Sequence, residues 1–263
     1  MRFAGIGSRG LCAVCLLAAL TFGATCAWGQ KATTTGKKSD HWAFQPPVLP
    51  PIPAVKHPEW VRTPVDAFVL ARLERAGIQP PPAADRLTLL RRVYLDVIGL
   101  PPTPEEQRRF LTDTAPNAWE RVVDDLLSRP QYGERWARHW LDTVRYAETN
   151  GYERDSNKPS AWRYRDYVIA AFNNDKPFSR FVTEQIAGDE MEGSNAETMT
   201  ATSFLRLGSW DDEPPDKDLD RYDQLDDVMG TTAIVFLGVT LRCARCHDHK
   251  FEPFTQKDYY RLL

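Results

Sequence analysis

Past its first 29 residues this chain is nearly devoid of cysteine. Of five cysteines in 263 residues, Cys12, Cys15 and Cys26 fall in that leader, which leaves only Cys243 and Cys246. So few thiols exclude a disulfide-built scaffold. The chain also lacks an excess of either charge, with a formal net charge of −3. That excludes the basic footprint of a nucleic-acid binder. Beyond residue 24 there is no apolar run long enough to span a bilayer. No nucleophile stands beside a base in a recognisable motif, so a hydrolase reading has nothing to rest on.

The leader itself reads as a secretory signal peptide. Arg2 and Arg9 lie in an acid-free start, residues 11–24 are mostly apolar, and Ala27-Trp28-Gly29 offers small residues for cleavage before Gln30. A retained N-terminal anchor is the other reading. Export to the periplasm or beyond is the expectation, with no membrane span once the leader is removed. Loss of Arg2 and Arg9 takes the formal charge from −3 to −5 over the remaining 234 residues. That length suffices for a helical core.

The two remaining cysteines are not scattered. They sit in Cys243-Ala244-Arg245-Cys246-His247, the C-x-x-C-H spacing of covalent c-type haem attachment. Two thiols three residues apart occupy one side of a turn, where they reach the two vinyl groups of one porphyrin. The adjacent His247 is placed to bind the iron axially. Haem c is the expected cofactor, and extracytoplasmic electron transfer with an unidentified redox partner the expected role. His139, beside an apolar stripe, is a candidate distal ligand, and so are Met191, Met199 and Met229. Three other readings of the pair stay open: a disulfide, a thiol redox couple, or a zinc site completed by His247 or His249. In these the chain is a non-haem extracellular module, with Trp42, Trp162 and Trp210 as possible sugar platforms.

Local pattern predicts a mostly α fold: an irregular multi-helix domain with long loops, over residues 59–263, behind a polar and proline-rich arm over residues 30–58. Pro46, Pro47, Pro50, Pro51, Pro53 and Pro58 forbid helix or central strand there. Helices are expected over residues 66–76, 85–98, 103–111, 117–127, 131–147, 161–172 and 177–187. Trp136, Trp140 and Val144 mark one face of the fifth. Residues 198–207 read as a short helix or an irregular buried segment. Nine acids crowd residues 211–227. They match a calcium loop poorly, since Arg221 stands where the turn needs glycine, and an acidic cap on the next helix is preferred. That helix should reach Leu237. Residues 231–241 read as buried, with a strand as the alternative. A last helix begins near Thr255.

Four stretches together resemble a known family. They are L-R-C-A-R-C-H-D-H-K-F-E-P from Leu241, W-V-R-T-P-V-D-A-F-V-L-A-R-L from Trp60, Y-G-E-R-W-A-R-H-W-L-D-T-V-R-Y from Tyr132, and Y-D-Q-L-D-D from Tyr222. This is similar to the planctomycete-type cytochrome-c-like domain of the second type, a secreted domain of unknown function. The resemblance covers residues 41–263. It implies a periplasmic or surface setting, haem at the C-x-x-C-H, and a context in polysaccharide breakdown. It also implies a C-terminal companion domain, which this chain lacks, so an incomplete reading frame is expected.

Overall fold

The computed structural model describes residues 41–263. The expected signal peptide and the first part of the expected arm, residues 1–40, lie outside the described residues. The described residues fall into two units, residues 41–45 and residues 46–263. In the first unit, Trp42–Phe44 forms one 3-10 turn, capped by His41, whose Nδ1 accepts from the Ala43 N–H at 3.3 Å.

The second unit is built from ten α-helices among the described residues, and no strand forms there. They are α1 (Pro64–Arg75), α2 (Arg86–Val97), α3 (Pro104–Thr112), α4 (Ala118–Leu127), α5 (Pro130–Thr143), α6 (Ala161–Asn173), α7 (Phe178–Ala187), α8 (Ala196–Ala201), α9 (Lys217–Thr232) and α10 (Gln256–Leu262). Residues 46–57 are extended and exposed for the most part, as the prolines require. The Lys56 N–H ties them to α1 through the Glu74 carboxylate at 2.8 Å.

The starts of these helices follow from their sequence. Asp85 caps α2 by accepting from the Thr88 N–H, and Thr103 with Glu106 forms a capping box on α3 behind Pro104. The Glu106 carboxyl is pulled down to about 2: burial opposes this, but the Thr103 N–H and Arg129 hydrogen bonds outweigh it. Gly77, at φ +68°, closes α1 in the left-handed conformation expected of a C′ glycine.

Three apolar clusters hold the helices. One unites Leu90, Tyr94, Phe110 and Leu126 from α2, α3 and α4. The second is aromatic and unites α5, α6, α7 and the 3-10 turn Thr202–Arg206 around Tyr164, Tyr167, Phe181 and Phe204. Some of its rings meet edge-on, Trp140 to Phe181 at 4.9 Å and Phe204 to Phe236 at 5.2 Å, while Tyr167 and Phe181 lie near parallel at 5.8 Å. The third lies under the C-x-x-C-H segment.

The closest helix pair, α5 and α6, crosses at Gly133. A Cβ there would stand 2.5 Å from the Ile169 carbonyl oxygen. Asn173 uses the gap: its Oδ1 accepts from the Gly133 N–H at 2.8 Å, and its Nδ2 donates to the Pro130 carbonyl at 3.2 Å. Gly133→Ala should therefore cost about 1–3 kcal/mol through overpacking. A lowered denaturant midpoint with an unchanged m-value is the expected readout.

Two helix ends differ from the sequence expectation. The fifth helix stops at Thr143, short of Ala147. Arg145 takes φ +57° without being glycine, and the Tyr146 N–H returns to the Leu141 carbonyl at 3.0 Å, closing the end as a Schellman-type turn. The turn swings Arg145 toward α9, where it finds Asp227. In the other case, residues 231–241 are neither strand nor wholly buried. The helix α9 runs into a π turn, Ala233–Leu237, that ends at the left-handed Gly238, and Leu237 is 66% exposed.

Candidate functional site

The C-x-x-C-H motif starts on a 3-10 turn, Leu241–Arg245, that packs against α9 and α10, with Cys246 as its C-cap and His247 just beyond. A 3-10 turn has three residues per turn, so positions i and i+3 eclipse. Leu241 and Ala244 share the inner edge and are buried with Met229, Ala233 and Tyr259. Cys243 lies within the turn and Cys246 is its C-cap. Both are free thiols and both are exposed.

Acids of α9 clamp the turn. Arg242 donates to the Asp227 carboxylate at 2.7 Å, and Arg245 to Asp223 at 2.7 Å. Asp227 also takes Arg145 through Nε at 2.8 Å and Nη2 at 2.5 Å. Asp226 accepts from the Tyr259 hydroxyl at 2.6 Å, which brings in α10. The Tyr259 phenol is pushed up by burial and by that carboxylate. Gly230 makes room for the clamp, because a Cβ there would lie 2.2 Å from Arg242 Nε.

The residues after the motif form a stapled loop. His249 Nδ1 accepts from the Glu252 N–H at 2.8 Å and the Phe251 N–H at 3.2 Å. Its proton therefore resides on Nε2, which faces Thr240 Oγ1 at 3.2 Å and Glu252 at 3.4 Å. The ring is 5% exposed. Glu252 in turn accepts from the Thr240 N–H and hydroxyl at 3.0 and 2.8 Å. Asp248 accepts from the Gln256 N–H at 2.8 Å, and Gln256 Nε2 donates to the Arg245 carbonyl at 3.0 Å. The D-H-K-F-E-P run is thus a brace for the turn that precedes it.

His247 is different. It is exposed, and its Nδ1 lies 2.8 Å from the Asp248 carbonyl oxygen. A carbonyl only accepts, so the neutral ring carries its proton on Nδ1 and leaves the Nε2 lone pair open.

The candidates His139, Met199 and Met229 lie on helices outside the motif. His139 is exposed on α5 with its ring 5.6 Å from that of Trp136. Met229 is buried on the inner side with Ala244, and Met199 is exposed on α8. The fit to a calcium loop dissolves into helix chemistry: Asp216 is the N-cap of α9, accepting from Asp218 and Leu219 N–H at 3.0 Å. Among the described residues no group of three or more His, Cys, Asp or Glu side chains is placed to hold a metal ion. No described helix is long and apolar enough to cross a membrane. Of the tryptophans considered as sugar platforms, Trp42 is 80% exposed, Trp162 lies under Arg163 and Trp210 under Arg206.

Sequence reading identified the thiols and His247 but missed the clamp. Asp223, Asp226 and Asp227 recur at three- and four-residue steps on α9, which is one helix face, opposite a motif that carries two arginines. That complementarity was the available signal.

The fold and the turn define an all-helical domain that presents a C-x-x-C-H motif on an acid-clamped 3-10 turn. Residues 64–263 match the family model described as PSCyt2, protein of unknown function (DUF1549), and the chain belongs to that family. No curated protein and no solved structure matches the chain.

Proposed function

We propose that this domain carries a covalently attached c-type haem and serves electron transfer outside the cytoplasmic membrane. The observation that carries the reading is the pair of thiols at the turn and its C-cap, Cys243 and Cys246, both free and exposed, with a neighbouring His247 whose Nε2 is open. This donor set fits the group. The thiols would form two thioether bonds, and His247 would bind iron through Nε2. A bound haem supplies one-electron redox chemistry. The protein supplies orientation: the α9 clamp and the His249 brace fix the turn, and the Asp248 carbonyl sets the His247 tautomer. Exposed Leu237 and Phe251, in the segments flanking the turn, offer apolar surface to a porphyrin. Export by the N-terminal leader belongs to the same proposal, because c-type attachment takes place outside the cytoplasm.

His247→Ala, made with a c-type maturation system, is expected to keep covalent colour yet lose the imidazole that would bind the iron. The measured midpoint potential and visible spectrum should both move. An unaltered spectrum would remove His247 from the iron. A second reading keeps the pair as a redox dithiol of a non-haem extracellular module, supported by the exposure of both thiols. Absence of covalent colour in the wild type would favour it.

A further inference from the structure

We propose a second site, remote in role from the thiols: a cleft that binds a small organic oxyanion. It is bounded by Lys158, Ser160, Ser203, Arg206, Trp210 and Asp212, among others, and has a volume of about 400 Å³. That is within the range of small-molecule sites and roomier than a bare inorganic ion needs.

The cleft holds more hydrogen-bond donors than the protein satisfies. Three part-buried cations among the described residues have carboxylates. Arg129 has Glu106 and Asp125, Arg145 has Asp227, and Lys176 has Glu184 and Glu197. No ion pair among the described residues includes half-buried Lys158 or exposed Arg206. Lys158 spends two protons on the carbonyls of Gly208 and Leu207, at 2.7 and 3.2 Å, and keeps a third. Arg206 lays its guanidinium over the Trp210 ring, 4.6 Å from the centroid, with its fork of N–H groups unspent. Asp212, the carboxylate at the rim, is exposed and accepts from the Ser156 hydroxyl at 3.0 Å. The balance inside is therefore cationic. Burial and the nearby Arg145 and Arg206 hold the Lys158 ammonium below the usual lysine range, which is the strain an arriving anion relieves.

The chemistry selects the ligand class. A guanidinium fork matches the paired oxygens of a carboxylate, sulfate or phosphate. The indole of Trp210, a residue whose backbone N–H donates to the Asn150 carbonyl at 3.0 Å, gives an apolar wall for a ring-sized body. The occupant is an oxyanion on such a body.

The test is calorimetry on the full chain with benzoate, glucuronate and glucose 6-sulfate, against glucose and inorganic sulfate. Saturable binding of at least one ring-borne anion is expected, tighter than either control and weakened by salt. Arg206→Ala should weaken it about tenfold or more. Its guanidinium has no hydrogen-bond partner to lose, so the melting temperature should hold. Arg221→Ala, on the neighbouring cleft, should leave binding unchanged. Failure of all three ring anions, equal binding of glucose or sulfate, or unaltered binding by Arg206→Ala overturns the proposal.

Discussion

Replacing Glu184 by alanine is expected to lower the unfolding free energy by about 3 kcal/mol, the low end of the cost of breaking a buried ion pair. Glu184 is 3% exposed, yet it is fully engaged. Its carboxylate accepts from Lys176 at 2.5 Å, Arg180 at 2.6 Å and the Tyr167 hydroxyl at 2.9 Å. Removing it strands a cation and a phenol beside the aromatic cluster. The low end applies because Glu197 still holds Lys176 at 2.7 Å. Thermal and denaturant unfolding of Glu184→Ala and Glu184→Gln would measure this. Burial works against ionisation of Glu184, but the three hydrogen bonds outweigh it and hold the carboxyl below the ordinary glutamate range. The sign for pH follows. The contribution is complete above the unfolded glutamate value and disappears as pH falls toward the lower folded value. The gap between wild type and Glu184→Gln should therefore narrow in acid. A gap that is constant or widens there would contradict the assignment.

Asp227→Ala is expected to cost about 2–3 kcal/mol and to loosen the C-x-x-C-H turn selectively. One carboxylate bridges Arg145, from the end of α5, and Arg242, from the turn itself. Its loss leaves two guanidinium groups facing each other's field across α9. Amide exchange over residues 240–250 should accelerate, while α2, α3 and α4 stay protected. Asp223→Ala is the control. Its partner Arg245 is held by an exposed pair, and such pairs are worth under about 1 kcal/mol. Equal effects of the two substitutions would show that the turn is held by its apolar inner edge alone.

Much of this was legible in the chain because caps and stops are local. Asp85, Thr103 and Gly77 act within one turn of themselves, and the helices they bound appear as read. The end of α5 was not legible, because Arg145 adopts a glycine-like conformation to reach a partner 82 positions away. The same reason hid the roles of Asp227 and Gly230. His249 shows the converse. Its residue type and its place two positions from His247 suggest a ligand, but backbone N–H groups occupy one ring nitrogen and Glu252 faces the other. Spacing alone does not distinguish a brace from a ligand; the tautomer does.

The most direct test of the central claim is a pyridine haemochrome spectrum on denatured protein produced with a c-type maturation system. The account predicts a c-type band that remains with the unfolded chain and disappears in the Cys243→Ala, Cys246→Ala double substitution. A colourless denatured chain would contradict it, and thiol titration would then read Cys243 and Cys246 as a dithiol.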